Sequence, residues 1–128
     1  MTALPRYAAV AMAVIAAPVL AHHSFAMFDM NKTVVVTGTI KEIKWSNPHI
    51  WIDMMVTTNG QQQLWSVEAG ATGTMMRQGW KKDTVKNGDK VTLYLHPLRE
   101  GANSGSLIKV VLADGRELQL GAQGARPS

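Results

Sequence analysis

The chain has 128 residues, 46% hydrophobic and 17% charged, which suits one small domain and excludes a disordered, collagen-like or coiled-coil chain. It has no cysteine, which excludes a disulfide scaffold, a thiolate zinc or iron–sulfur site, a thiol nucleophile and a lipidated cysteine anchor. The formal net charge of +4 comes without a Lys/Arg run and reads as solubility with a weak pull toward anionic surfaces.

The N-terminus has the form of a secretory signal. Arg6 is a short positive start, and Tyr7 to Ala21 is almost wholly apolar. That run is shorter than the roughly 20 residues a membrane span needs, and Val19-Leu20-Ala21 offers small residues for cleavage after Ala21. The expectation is a cleaved segment 1–21, a single domain over 22–120 and a flexible tail over 121–128. Export puts the mature protein in the periplasm or outside the cell, with no stable membrane anchor after cleavage and no nucleic acid as a partner.

In the mature chain, Phe25, Met27, Phe28 and Met30 form an irregular apolar stretch suited to packing on a barrel. Val34, Val36, Gly38 and Ile40 alternate on one face of a first strand, and the phase then slips to Ile43 and Trp45, as a bulge near Lys41-Glu42 would cause. Asn47-Pro48 is a turn. Ile50, Ile52, Met54 and Val56 face inward on a second strand, Asn59-Gly60 is a hairpin signal, and Trp65 and Val67 lie on a third strand. Ala71 to Trp80 reads as a short helix with Met75, Met76 and Trp80 on its apolar side. After the Asn87-Gly88-Asp89 turn, Val91, Leu93 and Leu95 mark a fourth strand ended by Pro97. Arg99 to Gly105 reads as a loop, Ile108, Val110 and Leu112 as an inward-facing fifth strand, and Asp114-Gly115 as a hairpin into Glu117–Leu120. Three strands, a helix and further strands, with a bulged first strand, predict an all-β fold with one short helix: a small OB-like five- to six-stranded barrel. An open six-stranded sheet is the rival architecture.

Four histidines carry the chemistry. His22 and His23 open the mature chain, His49 follows the Asn47-Pro48 turn, and His96 ends the fourth strand. Neutral imidazole suits copper, zinc and nickel. After cleavage His22 has a free α-amine, so amine and ring can chelate one ion while a second imidazole completes the set. This arrangement resembles the histidine brace of periplasmic copper carriers and copper-dependent polysaccharide oxygenases. Cleavage one residue earlier would instead leave Ala21-His22-His23, an amino-terminal copper and nickel chelate that needs no fold. The plainer reading is that His49 and His96, each beside a proline, bond loop carbonyls. On the second strand His49, Trp51, Asp53 and Met55 share one parity and so one face, a set that could hold Cu(I) through sulfur and imidazole with an indole wall. Met54, Met75 and Met76 read as core filling. The serines lack a Gly-x-Ser-x-Gly context. Asp53 and Glu68 could share a surface, yet are as readily paired with Lys44, Lys81 or Lys109.

Combined motifs extend the reading: His22-His23-Ser24-Phe25, Thr37-Gly38-Thr39-Ile40, Trp45-Ser46-Asn47-Pro48-His49, Gly79-Trp80, Gly88-Asp89-Lys90-Val91, His96-Pro97-Leu98-Arg99 and Gly105-Ser106-Leu107. From about His22 to Leu118 the chain resembles a domain-of-unknown-function family of small exported bacterial proteins. The resemblance implies export and one domain, and no activity. The leading expectation is a non-catalytic carrier of metal, copper first and zinc second, bound by His22, His23, His49 and His96. Two other readings stand beside it: a ligand- or protein-binding module using Trp51, Asp53 and Met55 on the barrel face, with a periplasmic partner protein, and a copper oxygenase.

Overall fold

A computed structural model describes residues 27–120. Strands β1 (Val34–Lys44), β2 (Trp51–Thr58) and β3 (Gln61–Glu68) form a meander. The helix α1 (Thr72–Arg77) follows, then β4 (Lys90–Pro97), β5 (Ser104–Val111) and β6 (Glu117–Gln119). The sheet runs β3-β2-β1-β4-β5-β6, and a second pairing joins β3 to β5. That parallel contact, with Ser66 opposite Ser104, Val67 opposite Gly105 and Glu68 opposite Ser106, closes five strands into a mixed barrel. The result is mostly β, with one short helix and β6 as an added strand. The expected barrel is therefore present, and the rival open sheet is not what forms.

Sequence dictates each feature locally. The phase slip in β1 is a register shift between Ile40 and Glu42, which lets Val36 and Ile40 stay buried while the strand bends. Asn59 and Gly60 have φ of 51° and 78°, the left-handed pair that matches the twist of a two-residue hairpin. Inside the barrel, Ile52, Met54, Val67, Leu93, Leu95, Leu107 and Val110 are almost fully buried. Each such side chain contributes about 1.5–3 kcal/mol of transfer free energy. Among the described N-terminal residues Phe28 is buried and bridges to Leu98, whereas Met27 is exposed; Phe25 lies outside the described residues.

The helix places Met75 beneath the barrel, fully buried, and Trp80 follows it inward, its indole N–H donating to the Gln119 carbonyl at 3.2 Å. Met76 departs from expectation: it is 58% exposed. A helix of six residues offers one inward turn, and Met75 fills it. Two further differences lie in β5. Its first residues, expected as loop, are the segment that pairs with β3. A register irregularity between Tyr94 and Leu95 leaves Ile108 without a partner across the β4–β5 ladder, so Leu107 and Val110, not Ile108, are buried there.

Candidate functional site

Barrel closure brings scattered residues into one row on the outer surface. Across adjacent strands, Trp51 stands opposite Glu68, Glu68 opposite Ser106 and Ser106 opposite His96. Neighbouring strands lie about 4.8 Å apart, so the backbones of Glu68 and His96 are separated by about 10 Å.

His49 is fixed to the end of this row from the turn before β2. The Asn47-Pro48 peptide is cis, and the Asn47 side-chain oxygen accepts from both the backbone N–H and the hydroxyl of Thr72 at 2.9 and 3.0 Å. Ala71, at the start of α1, has no side-chain acceptor, so Asn47 satisfies that amide from the turn and ties the turn to the helix. Ile50 and Ala69 extend the β2–β3 ladder beyond its strands, through Ile50 N–H to Gly70 O at 2.9 Å and Ala69 N–H to Ile50 O at 2.8 Å. The imidazole of His49 then lies with Nδ1 3.2 Å from the Ala69 carbonyl and Nε2 3.2 Å from Glu68 Oε1. His96 has the same kind of backing: its Nδ1 is 2.9 Å from the Lys32 carbonyl. A carbonyl only accepts, so Nδ1–H is the donor in both rings.

The first described residues are tied to the His96 end. Asp29 N–H donates to the Pro97 carbonyl at 2.8 Å and Arg99 N–H to the Met27 carbonyl at 3.0 Å. His22 and His23 lie outside the described residues. Among the described residues no three His, Asp or Glu side chains converge as a metal cage; His49 meets Glu68, while His96 stands farther along the row.

The remaining candidates occupy the same outer face without forming one site. Asp53 is buried, accepting from the Ser66 hydroxyl at 2.6 Å and from Lys44 Nζ at 3.0 Å. Met55 stands opposite Leu64, which is 45% exposed. Alternate residues on a strand are about 7 Å apart, so His49 and Met55 are separated by about 20 Å along the strand. A Cu(I) site built from His49, Trp51, Asp53 and Met55 together is therefore not formed by this backbone. A shallow depression lined by Asp89, Lys90, Asp114 and Arg116 lies at the other end of β4 and holds none of these residues.

Asp53 has an electrostatic signature of its own. Burial pushes its carboxyl up, but the hydrogen bonds from Ser66 and Lys44 and the charges of Lys44 and Lys41 hold it below the ordinary carboxylate value. The Lys44 ammonium is raised by the same hydrogen bond and by the charge of Asp53. A carboxyl depressed on folding adds stability above its unfolded value, and the increment is lost as pH falls through the folded one. Asp53→Asn is therefore expected to flatten the acid limb of stability below about pH 4. Urea denaturation across that range measures it, and an unchanged acid limb would refute the assignment.

A small five-stranded barrel with carbonyl-backed histidines at its strand ends is the class that fold and site define. Within that class the chain belongs to a family of unknown function, DUF6152, whose family model matches residues 9–108. No curated protein matches the chain. Among the described residues no helix is long and apolar enough to cross a membrane.

Proposed function

We propose that this is an exported, non-catalytic metal-binding or carrier protein, with copper as first ion and zinc as second. One observation carries the reading: His49 and His96 both direct Nδ1–H to a backbone carbonyl. Metal-binding histidines are characteristically oriented this way, because the carbonyl fixes the tautomer and leaves Nε2 as the donor to the ion. The Nδ1–H bonds expected under the plainer reading are thus also the bonds a ligand histidine needs. His22 supplies the α-amine and its ring, His49 and His96 the further imidazoles, and His23 is either a fourth ligand residue or a spectator. Export rests on the signal-like segment 1–21. Binding weakens at acid pH, since amine and imidazoles must lose protons to bind.

The test is calorimetric Cu(II) titration of the chain beginning at His22. The expected result is one tight site, weakened by His49→Ala and by His96→Ala. Weak binding indifferent to both substitutions would leave only an N-terminal chelate.

A second reading draws on the outer β2–β3 face, where Trp51 and the Met55–Leu64 pair flank the Asp53–Ser66 pair, a face that OB barrels use for ligands. In that reading the protein binds a periplasmic partner. Trp51→Ala then abolishes capture of that partner in a pull-down from periplasmic extract, and the double change His49→Ala/His96→Ala does not. The opposite pattern would eliminate it.

A further inference from the structure

The partners around His49 do not fit a neutral imidazole by themselves. Nδ1 faces the Ala69 carbonyl at 3.2 Å, which only accepts. Nε2 faces Glu68 Oε1 at 3.2 Å, and an ionised carboxylate also only accepts. A neutral ring has one N–H for two acceptors. Either one more proton sits on the ring or on the carboxyl, or a cation lies between the Nε2 lone pair and the carboxylate.

The geometry suits the cation. Donor atoms about 2.0–2.1 Å from a zinc-like ion, at angles of about 100–110°, are themselves about 3.2 Å apart. Exposure agrees, because the His49 side chain is 35% exposed and that of Glu68 only 12%. Solvent can deliver an ion to the imidazole while the carboxylate stays shielded in a setting that strengthens its attraction for charge. Register holds the pair in place: Glu68 is flanked by Trp51 on β2 and Ser106 on β5.

We infer that Glu68 is a metal ligand, joined with His49 Nε2 in a nitrogen–oxygen pair that selects a borderline divalent ion, Cu(II) or Zn(II), over Cu(I). This rests on the metal-binding reading and adds to it a ligand and an ion class. A carboxylate oxygen is a hard donor and a poor one for Cu(I), and Met55, the thioether on this face, is too far along the strand to join.

Protein expressed with its own leader is titrated with Zn(II), Cu(II) and, under reductant, Cu(I), as wild type, His49→Ala and Glu68→Gln. The expected result is about a 100-fold loss of Zn(II) and Cu(II) affinity in Glu68→Gln, roughly one donor's share of a four-ligand site, with Cu(I) affinity unchanged. If Glu68 serves only as counter-ion to a protonated His49, Glu68→Gln binds divalent metal as well as wild type or more tightly, since a competitor is gone; that outcome overturns the inference and leaves the metal reading standing. Wild type that binds neither ion fails the reading itself. Infrared difference spectra of wild type with and without Zn(II) make the test independent of the variant's folding. A shifted carboxylate stretch that His49→Ala removes supports ligation, and no shift refutes it.

Discussion

Gly38→Ala is expected to cost about 3 kcal/mol of stability, near the upper end for overpacking a filled site. A methyl group there would overlap the Met55 backbone carbonyl and touch the Met54 side chain. The Met54 methyl can move aside. The Met55 carbonyl cannot, because it belongs to the β1–β2 ladder, where Thr39 stands opposite Met55. A domain of this size shifts by roughly 4–8 °C in Tm per kcal/mol, so a fall of about 15 °C is expected. Gly60→Ala is the control. Its methyl would meet nothing within 4 Å, and only its φ of +78° makes it costly, at about 1–2 kcal/mol. Thermal denaturation of the two variants separates crowding from backbone strain, and equal losses would refute the crowding argument.

The reason β1 needs this glycine also explains how much of the barrel could be read in advance. Where local rules govern, pattern and structure agree: the slip after Ile40 is the bulge, and the Asn59-Gly60 pair is the hairpin. Counting outward from that hairpin even places Trp51 opposite Glu68, as observed. Where a distant strand governs, local composition misleads. Ser104-Gly105 reads as the end of a loop because Ser and Gly favour turns. In the barrel it is the strand that closes on β3, and Gly105 is there because a Cβ would collide with Leu95 and the His96 carbonyl. Ile108 misleads for a related reason. The irregularity at β4 changes the parity, and the spacing of Leu107 and Val110 was its only trace in the chain.

The site divides along the same line. His49 and His96 stood out because each sits at a strand end beside a proline. The Ala69 backing depends on a turn anchored by Asn47, the Lys32 backing on the segment that Asp29 ties to Pro97, and the row linking Glu68, Ser106 and His96 on the β3–β5 contact. No window of sequence contains those pairings. Glu68 was visible only as a carboxylate on the outer face, weighed with Asp53. The structure separates the two, giving Asp53 to Lys44 and Ser66 and turning Glu68 toward His49.

Extending the chain by five residues before His22, none of them histidine so that no histidine stands third from the new terminus, is expected to lower Cu(II) affinity about 100-fold or more. The extension converts the α-amine to an amide and removes the chelate it forms with its own ring. A four-ligand site releases roughly 10–16 kcal/mol for zinc, so one donor is worth about 3 kcal/mol, or about 100-fold. The same amine can act on the ion that His49 binds only if the chain reaches. From Met27, whose carbonyl accepts from Arg99 N–H, five residues back to His22 span at most about 18 Å, while β4 and β5 lie between Met27 and Glu68, each step between neighbouring strands being about 4.8 Å. The decisive result is stoichiometric. If one ion takes both donors, the extension and His49→Ala each weaken the same single site, and combining them abolishes tight binding. If two ions are bound, the extension removes one and His49→Ala the other, each leaving its neighbour's affinity untouched. That second outcome would separate the N-terminal histidines from the barrel and leave His49 with Glu68 as a metal site in its own right.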